Sequence, residues 1–276
     1  MDSNHYLFTV IFIVSLIIGS FLGLASFRIP IILKKLYNEE NEFNNYKKRT
    51  YNLAIPRSQC PNCLNTISFH QNIPLISYIF LFGKCSYCKK SISPRYPIIE
   101  ITTLIVFIFI FYNSGINLST LPVYALACLL IVASVIDLEH GLLPNVITIP
   151  ILVLGLTVNA LEMNSIKIYS SIIGAIFGYY SLWIIYKIHK FFTKKDGMGY
   201  GDFKLMAAMG SWTGWQIIPL IIFFSSLFGI IFSLFPSNFK KYSVRTSIPF
   251  GPFIAITGFI AFLYREELLL FYILYL

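Results

Sequence analysis

The sequence predicts an all-α polytopic membrane protein of about eight transmembrane helices, with a small cytoplasmic insert after the first helix. Three observations predict it. The chain of 276 residues is 57% hydrophobic and 12% charged, with a mean hydropathy of +0.72. Soluble domains carry about 25% charged residues, so this chain lacks the polar surface to stay in water. Apolar runs recur along it, several approaching the roughly 20 residues a helix needs to cross a bilayer. Its cations gather in a few loops, the arrangement that sets orientation in a membrane. A net charge of +9 and a pI near 9.2 would suggest nucleic acid in a soluble chain. Confined to loops between apolar runs, the same charge points to a lipid bilayer as partner and away from nucleic acid.

The first apolar run covers residues 7–32. No basic stretch precedes it in Met1-Asp2-Ser3-Asn4-His5-Tyr6, and Lys34 and Lys35 follow it. That is the pattern of a signal-anchor helix with its N-terminus outside, rather than a cleaved secretory peptide. The one long polar segment, residues 33–96, carries Lys34, Lys35, Lys47, Lys48, Arg49, Arg57, Lys84, Lys89, Lys90 and Arg95. By the positive-inside rule it is cytoplasmic. Further runs occupy residues 97–112, 118–136, 144–161, 168–188, 203–215, 216–235 and 248–263. The run at 203–215 is short for a span. If all cross, the basic loops at 187–195 and 240–245 fall on the same side as the insert. The outer connections, 113–117 and 162–167, are short and poor in cations, so charge and count agree.

Four cysteines lie in the polar segment as Cys60-Pro61-Asn62-Cys63 and Cys85-Ser86-Tyr87-Cys88. A doubled Cys-x-x-Cys places four thiolates at tetrahedral distance and suits a structural zinc ion. The alternatives are unrelated thiols or a redox pair, and the reducing cytosol disfavours disulfides. An insert this small has little core, so a bound metal would supply much of its folding free energy. Cys128, alone in an apolar run, reads as a small packed hydrophobe.

Two aspartates fall at the cytoplasmic boundary of the membrane, far apart in sequence but at one depth. Asp137 closes one apolar run, ahead of Leu138-Glu139-His140-Gly141-Leu142-Leu143-Pro144-Asn145. Asp202 opens another, after Gly197-Met198-Gly199-Tyr200-Gly201. An ionisable residue at membrane depth is costly and marks a candidate functional site. Each also has a bland reading: Asp137 as an interfacial cap, Asp202 as a helix N-cap after a flexible loop. Glu139 and His140 need no role beyond a short cytosolic turn. Glycines at 199 and 201 permit backbone conformations closed to other residues and leave room for an extended peptide.

Two carboxylates a few ångströms apart share one proton near neutral pH. The ionised member takes a proton from water as the water attacks a peptide carbonyl, and the protonated member hydrogen-bonds the oxyanion. Asp137 and Asp202 are therefore read as the catalytic pair of an aspartic endopeptidase. A transporter or channel with boundary aspartates, and a non-enzymatic scaffold presenting a metal module, are the other classes considered. A transporter would place ionisable groups mid-helix, and a scaffold would not need both aspartates.

The residues resemble the type IV prepilin peptidases, the leader peptidase and N-methyltransferase family. Gly199-Tyr200-Gly201-Asp202 matches a Gly-x-Gly-Asp signature, with Lys204 also fitting. Asp137 with Pro144-Asn145 matches the other aspartate's site. In the insert the likeness covers Cys60-Pro61-x-Cys63, Asn72-Ile73-Pro74-Leu75, Ser77-Tyr78, Gly83-Lys84-Cys85-x-x-Cys88, Ile92-Ser93-x-Arg95-Tyr96-Pro97 and Glu100. Near the ends it takes in Gly19-Ser20-Phe21-Leu22, Arg28-x-Pro30 and Pro249-Phe250-Gly251-Pro252-Phe253. Gly23 departs from the asparagine expected after Phe-Leu.

The resemblance implies three parts: a first transmembrane helix over 1–32, the tetracysteine zinc-binding insert over 33–96 and a membrane-embedded aspartic protease domain over 97–276. It implies prepilin and pseudopilin precursors as partners, in pilus assembly or type II secretion. It places the enzyme in the bacterial inner membrane with its site at the cytoplasmic face. It also implies that S-adenosylmethionine methylates the new N-terminus, although no glycine-rich fingerprint marks residues for that cofactor. Glu39, Glu40 and Glu42 are candidates to contact a basic leader, and more simply a solvated charge run.

Overall fold

The computed structural model describes residues 2–36, 52–55, 57–60, 62–194, 197–234 and 249–275. Glu39, Glu40, Glu42 and the basic loop at 240–245 lie outside the described residues. Helices dominate, and β structure among the described residues is limited to isolated bridges in the insert. The α-helices among the described residues are α1 (Asp2–Leu36), α2 (Ile76–Phe80), α3 (Arg95–Ser114), α4 (Leu121–His140), α5 (Asn145–Ala160), α6 (Ile168–Thr193), α7 (Tyr200–Thr213), α8 (Ile218–Ser233), α9 (Gly251–Leu263) and α10 (Arg265–Tyr275). Among the described residues, five segments are long and apolar enough to span a membrane: His5–Leu36, Arg95–Ser114, Leu121–His140, Ile168–Thr193 and Trp215–Ser233. α5 and α9 are shorter apolar helices.

The chain forms two compact units, Met1–Thr120 and Leu121–Leu276. In the first, α1 packs along α3. Gly19 and Gly23 lie one turn apart on α1, and small residues at that spacing let membrane helices approach closely. A Cβ on Gly19 would come within 2.9 Å of the Glu100 Cα, and one on Gly23 within 3.2 Å of the Tyr96 ring. The departure at position 23 therefore has a packing reason. At the polar end of the pair, Arg95 donates to Ser26 Oγ at 2.8 Å and its guanidinium lies over the Phe27 ring.

The second unit is built around α7. Phe203, Leu205, Met206, Ala208, Met209 and Trp212 are all fully enclosed, and α5, α6, α8 and α9 each pack against this helix. A helix apolar on every side must be surrounded by other helices. Its 14 residues reach only about 21 Å. This explains the short run at 203–215: its apolar character answers to protein neighbours rather than to lipid. Gly174 of α6 and Gly210 of α7 meet backbone to backbone, so neither position accepts a side chain. Polar cross-links hold the bundle where helices touch, among them Trp212 Nε1 to the Ile151 carbonyl at 2.8 Å and Asn159 Nδ2 to the Ser211 carbonyl at 2.8 Å. In low dielectric such bonds matter because an unmet polar group there is costly.

Two boundaries differ from the sequence expectation. α4 continues past Asp137 to His140, so Glu139 and His140 lie in its last turn rather than in a turn beyond it. Helical hydrogen bonding does not depend on side-chain polarity, and the helix stops only where Gly141 takes φ +62 and donates to the Asp137 carbonyl at 2.8 Å. α10, after the last apolar run, was not anticipated.

Candidate functional site

Asp137 reaches the site from the last turn of α4, and Asp202 from the first turn of α7. Both are buried, 5% and 7% exposed, and the charge of Asp137 acts on Asp202. Each carboxylate rests on a backbone amide at a helix start. Asp202 Oδ2 accepts from Gly199 N at 3.2 Å, closing its own helix's first turn, while Asp202 N donates to the Gly199 carbonyl at 3.2 Å. The N-cap is therefore Gly199, with Asp202 at the third helical position and its side chain reaching back to the cap's amide, rather than Asp202 itself capping the helix. Asp137 Oδ2 accepts from Gly251 N at 2.9 Å, the first residue of α9. The free N–H groups of a helix start carry partial positive charge, so both anions sit where a negative group is favoured.

Leu143, in the turn between α4 and α5, joins the two halves. A Cβ on Gly201 would meet Leu143 Cβ at 2.6 Å, and one on Gly251 would meet Leu143 Cδ1 at 3.1 Å and Asp137 Oδ2 at 2.7 Å. Asn145 at the head of α5 accepts from Lys204 Nζ at 2.8 Å, tying α5 to the turn that carries Asp202. The motif Pro249-Phe250-Gly251-Pro252 was visible in the sequence, but Gly251 was given no role there. The available signal was a glycine immediately before a proline at a helix start, where proline is favoured.

The two loop glycines differ from the expectation, which rested on unusual backbone. Gly199 has φ −79, accessible to any residue, and Gly201 lies inside the helix. What matters is space. Gly201 is required by Leu143, whereas the nearest atom to a Cβ on Gly199 is Asp202 Oδ2 at 3.6 Å, an ordinary contact. A methyl at 199 would thus fit without displacing its neighbours, beside the Asp202 carboxylate.

In the first unit, the two Cys-x-x-Cys turns are built alike. Cys60 N donates to the Asn65 carbonyl at 3.0 Å and Leu64 N to the Cys60 carbonyl at 2.9 Å; Cys85 N to Lys90 at 2.8 Å and Lys89 N to Cys85 at 3.0 Å repeat the pattern. Leu64 and Lys89, each just after a second cysteine, both take positive φ. The sulfurs of Cys60 and Cys88 are 3.8 Å apart, those of Cys63 and Cys85 4.0 Å, and all four lie within 4.8 Å of one another. A tetrahedron with metal–sulfur bonds of about 2.3 Å has edges of about 3.8 Å, so the group can hold a metal ion. The amide of Lys90 and the side chain of Asn62 bring the Cys88 thiol down to about 6, and the amides of Cys88 and Tyr87 lower Cys85. Cys63 has a lowering amide from Asn65, yet burial and the neighbouring thiols leave it raised to about 11. Cys128 is half-buried in α4.

Residues 124–234 match the family model described as the type IV leader peptidase family, and residues 13–114 match the bacterial peptidase A24 N-terminal domain. The chain is 39% identical over 261 residues to the prepilin leader peptidase/N-methyltransferase of Pseudomonas aeruginosa, covering 93% of this chain and 90% of that one. It is 38% identical over 275 residues to the protein of that name from Aeromonas salmonicida, covering 96% and 94%. The corresponding Neisseria gonorrhoeae protein is 36% identical over 256 residues, covering 91% and 88%. No solved structure matches the chain.

Proposed function

The chain belongs to the type IV leader peptidase family, and from that premise we propose that it is a membrane aspartic endopeptidase whose catalytic groups are Asp137 and Asp202. The observation that carries the reading is the pairing of two buried carboxylates from separate helices, close enough to interact, each on a helix-start amide. Such a pair holds one proton between its members near neutral pH, and its titration belongs to the pair rather than to either residue. Water bound between them loses a proton to the ionised carboxylate as it attacks the scissile carbonyl. The other carboxyl hydrogen-bonds the oxyanion and then protonates the leaving amine. The Gly251 and Gly199 amides hold the carboxylates in place.

The substrate is a prepilin, as the relatives' names indicate for those proteins, and by the same chemistry a pseudopilin precursor. Its extended cleavage segment passes Gly199 and Gly201. In this reading α5, α7 and α9 cross the bilayer with the five longer spans, making eight, and the peptidase part is residues 97–276. The cation distribution supports a cytoplasmic face for both aspartates. The tetracysteine insert, within residues 33–96, holds structural zinc through Cys60, Cys63, Cys85 and Cys88. N-methylation, which the relatives' names indicate for them, completes the activity, with S-adenosylmethionine as the methyl donor to the new N-terminus.

The test is incubation of detergent-solubilised protein with a precursor bearing a basic leader, with and without S-adenosylmethionine. Mass spectrometry should show leader removal in both and one added methyl group only with the cofactor. An uncut precursor under conditions where an authentic relative cuts it would overturn the proposal.

A further inference from the structure

The short helix α2 in the cysteine insert presents an apolar face that the described chain leaves uncovered. Ile76, Ile79 and Phe80 fall at the i, i+3, i+4 spacing of one helix face. They are 50%, 69% and 78% exposed, and Phe82 just beyond is 88% exposed. Phe82 also takes φ +51, a backbone region that costs a bulky residue energy. Leu75, the N-cap of α2, does the same with φ +57. Strain held at two large apolar residues, with the aromatic of one aimed outward, calls for something that receives those side chains.

The anchoring of α2 identifies the receiver. Leu75 N donates to Glu100 Oε2 at 2.8 Å. Glu100 lies on α3, a candidate membrane span, five residues after its start at Arg95. At the helical rise that is about 7–8 Å along the axis. α2 therefore begins level with the second turn of a membrane helix, not out in the aqueous phase. At that level α3 also exposes Ile98 and Ile101. Lys84, two residues after Phe82, and Lys89 are exposed, whereas Lys90 donates to Asn62 Oδ1 at 2.8 Å. Exposed apolar side chains followed closely in the chain by exposed cations suit an anionic bilayer surface, the rings entering the acyl boundary and the ammonium groups meeting phosphates.

We propose that α2 and Phe82 form an interfacial membrane anchor, by which the cysteine insert lies on the bilayer surface that α3 enters. The consequence is positional: the insert is held flat against the lipid beside its own membrane helices. This does not rest on the peptidase reading, since it uses only α3 as a membrane helix.

The test is photocrosslinking of the full-length protein in inner-membrane vesicles with radiolabelled phospholipid. Phe80 and Phe82 are replaced singly by p-benzoyl-phenylalanine, and Phe21, exposed on the α1 span, serves as the lipid-facing reference. Each variant is first checked for membrane insertion and monodispersity in detergent. The expected result is a lipid-labelled band at positions 80 and 82 as at 21. Label at 21 with none at 80 and 82 overturns the proposal and places the face in water. An adduct between either position and another polypeptide also overturns it and makes the face a protein-docking surface.

Discussion

Asp137 on α4 and Gly251 at the head of α9 are joined by a 2.9 Å hydrogen bond from the Gly251 amide to Oδ2 of the carboxylate. The glycine is needed for room as well as for its amide. A Cβ would stand 2.7 Å from Oδ2 and 3.1 Å from Leu143 Cδ1. Gly251→Ala keeps the N–H but must push the carboxylate aside. Cleavage should fall about 10²-fold, the scale on which a displacement of about 1 Å acts. Single-turnover rates on a precursor check this, and a Gly251→Ala enzyme with parental rates would show that Asp137 is not held there during catalysis.

Asp137→Asn and Asp202→Asn should each lower turnover by about 10³-fold or more, with the double variant scarcely worse, because members of one catalytic unit do not act additively. Both variants should insert normally, since Asn keeps an oxygen to accept the Gly251 or Gly199 amide. Near-normal turnover in either single variant would remove that residue from the chemistry.

Gly201→Ala and Gly199→Ala should separate packing from access. At 201 the new methyl collides with Leu143, an overpacking that costs about 1–3 kcal/mol. Leu143→Ala in the same chain should recover part of that stability, giving a measurable coupling. At 199 the methyl meets only ordinary contacts, so thermal unfolding in detergent should be unchanged while cleavage falls. Equal loss of stability at both positions would contradict this division.

The cysteine site makes two predictions of its own. Purified protein should carry about one zinc per chain, and Cys60→Ser or Cys88→Ser should lower that content and loosen the insert. After chelation, Cys88 should alkylate well before Cys63 at neutral pH, because the thiolate is the nucleophile. The sign follows from the lowered thiol. Stability that the metal-free insert draws from ionised Cys88 is full above its ordinary value of 9 and is lost as pH falls through about 6. Site-resolved alkylation by mass spectrometry, repeated across that window, reads it out. Uniform rates for all four cysteines would contradict the amide arrangement around them.

Orientation is checked by reporters fused within residues 71–83, expected cytoplasmic, and near Asn117, expected external. An external reading for the cysteine segment would move the proposed site to the other face.

Membrane class could be read from composition and run length, because lipid demands apolar side chains and closed backbone hydrogen bonding wherever a chain crosses it. The Cys-x-x-Cys spacing could be read because each turn is local: Cys60 to Asn65 and Cys85 to Lys90 fold by the same few backbone bonds. Candidate aspartates stood out because a carboxylate beside an apolar run is rare. Helix ends were less legible. α4 runs past the last apolar residue to His140, since Gly141 ends it and polarity does not.

The sequence by itself therefore determined the all-helical membrane class, the metal-fit cysteine turns and the two aspartates worth pairing. Tertiary structure decided what surrounds those aspartates. The amide that holds Asp137 comes from a residue 114 positions away. Leu143, an unremarked leucine in the sequence, explains Gly201, and α7 is apolar because four helices enclose it. A residue pattern records each side chain's preference for water or lipid. Which backbone donor meets which carboxylate depends on how whole helices approach one another, and no local pattern carries that.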